Sequence, residues 1–215
     1  MQPEKWQIMN RKYYVLVFAW AVFVSCENSE KSEQKEAEIE FEETHKASKE
    51  EMTLEPEKSY ADIGMEYAIS TKAALGKNLM GTIQKHGTLA AVEFCNVAAY
   101  PLTDSMAVKH NAHIKRVSDK PRNPRNQANV LEIQHIAKFK EDFLLGINPD
   151  PIVEETSNGI RFYYPIETNT MCLQCHGKAV EPEVYKSIKA LYPKDEAIGY
   201  IENEVRGIWS ISFDK

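Results

Sequence analysis

Basic charge is in short supply in this sequence, where 26 Lys and Arg residues face 32 Asp and Glu for a formal net charge of −6. A nucleic-acid binder neutralises phosphates with a clustered excess of Lys and Arg. No such excess occurs, so that class of partner drops out. Long apolar runs are missing too: the main one covers residues 13–24, against the roughly 20 residues that cross a bilayer. Cysteine is scarce, with four in 215 residues. No second Cys/His pair is spaced to complete the four ligands of a structural zinc site. No internal repeat is visible. Nor do these residues include a kinase, HAMP-like or transmembrane signalling segment through which a sensor would pass on its state.

What is present begins with a targeting signal. Lys5, Arg11 and Lys12 precede the apolar run, as the charged and hydrophobic regions of a secretory signal do. Phe23-Val24-Ser25-Cys26 follows. It resembles the lipobox of bacterial lipoproteins, whose cysteine becomes the lipid-bearing N-terminus, although Phe23 stands where an aliphatic residue is usual. Residues 1–26 therefore read as a lipoprotein signal with Cys26 as the lipidation site. An uncleaved anchor helix or an ordinary signal cut elsewhere are the alternatives. Residues 27–58 hold twelve acids and five bases with few large apolar side chains. Such a stretch repels itself and buries too little surface to fold. It reads as an acidic tether, or less simply as a partner-binding tail. The 43% hydrophobic and 27% charged composition fits a globular protein, and residues 59–215 are long enough for one domain. The expected place is the cell envelope, with the domain held to a membrane by an N-terminal lipid.

In that domain, Ile63, Tyr67, Thr71, Leu75, Leu79 and Ile83 recur every four residues and line one face of a helix that Gly87 stops. A second helical segment, residues 88–100, carries Leu89, Val92, Phe94, Cys95 and Val97, and Pro101 closes or kinks it. Residues 113–118 have the alternation of a short strand. The prolines and asparagines of 119–127 make a loop. A third amphipathic helix covers 128–145, with Leu131, Ile136, Phe139 and Phe143 inward. Two β-rich runs, 152–156 and 160–167, flank Ser157-Asn158-Gly159, and Asn-Gly there predicts a hairpin. A short helix at 182–191 and a strand at 206–213 complete an α+β domain, an antiparallel sheet with flanking helices.

Cys172-Leu173-Gln174-Cys175-His176 carries the chemistry. At this spacing two thiols can add to the vinyl groups of a haem while the next histidine reaches its iron. Export supports the reading, because c-type haem is attached outside the cytoplasm, where bare CxxC pairs form disulfides. A disulfide, a zinc site and a chance match are the competing readings. One motif implies one covalent haem. Its sixth ligand is open from spacing: Met65, Met80, Met106, Met171, His86, His110, His113, His135 and Cys95 are all candidates, and each is more often a packed or solvated residue than a ligand. Cys95 is the cysteine left over once lipid and haem have taken the others, which asks for a partner. A buried thiol on an apolar helix answers equally well.

VEFC at 92–95, KPRNPRN at 120–126, YYPIETNTMCLQCHG at 163–177 and EVRGIWSISF at 204–213 together resemble a family of c-type haem-binding domains with a PAS-like fold. Its members occur in bacterial envelope proteins and in extracytoplasmic parts of signalling proteins. The resemblance covers residues 60–213. It implies a PAS-like antiparallel sheet with a long N-terminal helical region, a haem c attached through Cys172 and Cys175, and iron held by His176 and the Cys95 thiolate. It also places Arg122 and Asn123 near the haem, where the Arg fork suits propionate carboxylates. A plain solvated loop is the alternative for those two.

A haem with both axial positions filled has no open site for substrate. It suits electron transfer or redox sensing with a partner protein rather than an enzyme. A separate signalling partner would make the chain a redox or gas sensor. A CxxC thiol oxidoreductase without haem, or a cytochrome c-prime-like four-helix bundle, are readings from other classes, and the hairpin and last strand argue against the bundle.

Overall fold

The computed structural model describes residues 57–214, which belong to the compact unit Pro56–Lys215. The signal segment, Cys26 and nearly all of the acidic stretch lie outside the described residues. Four antiparallel strands, β1 (His113–Val117), β2 (Ile152–Thr156), β3 (Gly159–Glu167) and β4 (Val205–Asp214), form one sheet in the order β1-β4-β3-β2. Four helices flank it: α1 (Tyr60–His110), α2 (Val130–Leu144), α3 (Thr170–His176) and α4 (Pro182–Leu191). The chain is α+β, as expected, with a long helical N-terminal region, and the strand order is compatible with a PAS-like sheet. No helix among the described residues is long and apolar enough to cross a membrane.

Alternation along the strands supplies the two cores. Phe162 and Tyr163 are neighbours, both buried, and point to opposite faces. Phe162 joins Ile114, Trp209 and Ile211 under Ala68 and Met106 of α1. Tyr163 joins Val117, Val205 and Ile208 under Ile136 and Phe139 of α2. A third cluster sets Val92 of α1 against Val184 and Ile188 of α4 and Tyr192.

The two helical segments expected around Gly87 are the arms of α1. Gly87 breaks the helix at φ 81°, ψ 176°, a conformation open essentially to glycine. Pro101 does not close the helix, which runs on to His110. Its missing N–H would have served the carbonyl of Val97, and both residues are exposed, so water can take that acceptor. Beyond it Thr103 and Met106 are buried, and the Thr103 hydroxyl donates to the Ala99 carbonyl at 2.8 Å. The helix stops at Asn111, in the left-handed region at φ 49°. Leu89 and Val97, read as inward-facing, are 47% and 72% exposed; the inward side of this arm is Ala91 and Val92. The 119–127 loop contains a 3₁₀ turn, Pro124–Asn126. It is pinned to α1 by the Tyr100 hydroxyl donating to Asn126 Oδ1 at 2.7 Å, and by the Arg125 guanidinium 4.3 Å above the Tyr100 ring.

Candidate cofactor site

The CxxCH motif lies on α3, a helix of two turns absent from the sequence reading. Asn169 caps it, its side chain accepting from the Cys172 N–H at 3.2 Å. Helical spacing sets Cys172 and Cys175 three residues apart on one side, and His176 ends the helix. Cys172, Cys175 and His176 border a cavity of about 180 Å³ between the sheet and α1.

His176 is held in one orientation and one tautomer. Its Nδ1 lies 2.7 Å from the Ala197 carbonyl and must carry the hydrogen, which leaves Nε2 with a free lone pair. Burial keeps the ring neutral by driving its pKa well below the ordinary value, and the charges of Arg206, Arg122 and Arg116 add to the effect. The Ala197 carbonyl is itself braced. Asp195, fully buried, accepts the Ala197 N–H at 3.0 Å and the Arg122 Nε–H at 3.1 Å. Arg122 Nη2 then donates to the carbonyls of Cys175 at 2.6 Å and Ala197 at 3.3 Å. Two further backbone bonds, Tyr200 N–H to His176 carbonyl at 3.0 Å and Gly199 N–H to Gly177 carbonyl at 3.1 Å, stitch the same loop to the end of α3.

Of the nine candidates for a sixth ligand, Cys95 and Met171 border this cavity. Met65 and Met106 are packed in the α1-side core. His110 stacks on Tyr67 and shares a 2.8 Å hydrogen bond with Ser70. His113 faces Asp214, and His135 lies between Glu154 and Tyr163. His86 and Met80 are exposed. Cys95, Cys172 and Cys175 are free thiols. Burial pushes the Cys95 thiol up from its ordinary pKa while Arg116, Arg122 and Arg206 pull it down. Cys175 is likewise raised by burial and lowered by Arg122.

Arg122 and Asn123 also border the cavity, but both are committed to local bonds. The Arg122 fork is turned onto Asp195 and two carbonyls, and Asn123 caps the 3₁₀ turn by accepting from the Arg125 N–H at 3.0 Å. Three residues of the site had not been singled out. Asp195 sits in a loop without a pattern to flag it, and Arg116 and Arg206 look like ordinary polar positions of strands. Donor types and positive charge together fit the covalent haem that the motif implies.

A family model described as Tll0287-like: Tll0287 matches residues 27–214. Among solved structures, the cyanobacterial heme-protein Tll0287 is similar over 70% of this chain and 94% of its own, with a TM-score of 0.53 and 18% identity. At that identity the likeness is one of fold. Comparison with curated proteins gave no match.

Proposed function

The chain belongs to the Tll0287-like family, and we propose that it carries one c-type haem on Cys172 and Cys175, with His176 and the Cys95 thiolate as iron ligands. The observation that carries this reading is the convergence of those four side chains on one cavity. The heme-protein named among the similar structures supports it. Bound haem supplies a one-electron iron couple. The protein's part is to fix the imidazole through Ala197, to offset a buried thiolate with the charges of three arginines, and to keep the site mostly out of water. Thiolate ligation favours the ferric state, so the couple is a low-potential one.

Two protein ligands leave the iron no open position, which makes the protein an electron carrier or a redox sensor rather than an enzyme. The lipobox-like Cys26 supports a place in the cell envelope, tethered to a membrane, and a haem without an open position suits work with a partner protein. One contact favours sensing. The Thr88 hydroxyl donates to Gln174 Oε1 at 2.9 Å, which ties the motif helix to the bend at Gly87 in the helix that leads back to the tether.

Purified protein should show Soret and α/β bands that survive acid-acetone extraction. Cys172→Ala with Cys175→Ala should abolish haem staining on denaturing gels without changing membrane attachment. A colourless wild type with a reversible Cys172–Cys175 disulfide would replace this reading with thiol redox chemistry.

A further inference from the structure

Arg116 and Arg206 are charged groups of the cavity wall that the proposed coordination leaves unused. Arg116 stands on β1 opposite Trp209, whose ring packs into the α1-side core. Arg206 reaches the same side by another device. Ile166 pairs with Gly207 and Glu167 with Val205, so Arg206 is the extra residue of a β-bulge. A bulge re-aims a side chain. Val205 and Ile208 both pack into the α2-side core, while Arg206 between them borders the cavity, as Arg116 does.

Neither guanidinium has an ion-pair partner among the described residues, and the Nε of each is buried without an acceptor. Arg116 Nη2 makes one long bond, 3.5 Å, to the Ala99 carbonyl. The two also crowd each other: burial depresses the Arg116 pKa and the charge of Arg206 depresses it further. Their acidic neighbours are thiols and phenols, Cys95, Tyr100 and Tyr192 around Arg116 and chiefly Cys172 and Tyr200 around Arg206. No carboxylate is among them. Buried charges are normally paired, so two adjacent unpaired cations call for an occupant that brings its own negative charge. The guanidinium fork matches a carboxylate oxygen for oxygen.

We propose that Arg116 and Arg206 form a two-point carboxylate site that binds the haem propionates, an inference that rests on the haem reading above. The thioether edge of the ligand then belongs to α3 and the anionic edge to the β1–β4 wall. Arg122 is the brace of the axial histidine instead, and Asn123 a turn cap.

The test uses the full-length haem-loaded protein, with resonance Raman spectra of the propionate bending modes and midpoint potentials for Arg116→Leu, Arg206→Leu, Arg116→Lys and Arg206→Lys. Each Leu variant should shift the propionate modes and lower the midpoint potential, because loss of a nearby cation favours ferric iron. Each Lys variant, which keeps the charge and loses the fork, should hold the potential near that of wild type and still shift the modes. If the Leu variants take up no haem, the Lys variants decide on the modes. Haem-loaded variants with unmoved propionate modes overturn this inference and leave the haem reading standing. A wild type without haem bands overturns both.

Discussion

A thiol at Cys95 gains as an iron ligand from the same surroundings that make it costly as a free thiolate. Burial disfavours its charged form, and Arg116, Arg122 and Arg206 favour it. Coordination would settle that balance by placing the charge on the metal. Cys95→Ala should therefore raise the midpoint potential and remove the sulfur-to-iron charge-transfer bands of the ferric protein. Were Cys95 a core filler, the same change would cost about 1 kcal/mol for a small cavity and leave ferric paramagnetic resonance unaltered. Identical low-spin g-values in the two proteins would take Cys95 out of the site. Asp195 acts one step further from the iron. Its carboxylate, 0% exposed, holds Arg122, which is 14% exposed, and losing one partner of a buried ion pair costs on the order of 3 kcal/mol. Asp195→Asn should lower the melting temperature and also change the g-values, because the Ala197 carbonyl that orients His176 loses its brace. A change in melting alone would make Asp195 structural and nothing more.

Among the elements, α1 decides whether the cavity exists, since it supplies Leu79 and Ile83 from one arm and Val92 and Cys95 from the other. Gly64 lets the first arm lie on the sheet: a Cβ there would run into the Phe162 ring. In an isolated helix Gly64→Ala would gain up to ~1 kcal/mol of propensity, whereas overpacking a fully buried ring costs about 1–3 kcal/mol. Net destabilisation is expected in a thermal melt, and a higher melting temperature would mean that the arm is not pressed onto Phe162. The elements legible in the sequence were those with local signatures. The four-residue period of 63–83, the Asn158-Gly159 turn and the helix at 182–191, which the structure matches as Pro182–Leu191, each carry their own signal. Elements decided by their surroundings were not legible. Pro101 reads as a stop, but its lost bond faces water and the chain beyond it is buried. α3 is too short for a period, so the motif was found without its helix. Arg206 alternates correctly for the α2 side until the bulge turns it, and a bulge is set by pairing between strands far apart in sequence.

At the scale of the whole molecule, every group assigned to the site lies within Pro56–Lys215: Cys95, Arg116, Arg122, Cys172, Cys175, His176, Asp195 and Arg206. Both sheet-face cores, with the third cluster beside them, also close within that unit. The proposed tasks of the first 55 residues are export, anchoring and spacing. With the assigned site groups in one unit and Cys26 in the other, anchor and haem should be separable. Residues 56–215, exported behind an unrelated cleavable signal so that haem can be attached outside the cytoplasm, should bind haem with the spectrum and midpoint potential of the full chain and stay in the aqueous fraction. Cys26→Ala in the full chain should do the same. A Cys26→Ala protein that sediments with membranes would show that residues 13–24 persist as an uncleaved anchor, without touching the haem assignment. A 56–215 fragment that fails to hold haem would show that the acidic stretch contributes to the domain, and would end the division of the chain into a spacer and a self-sufficient haem unit.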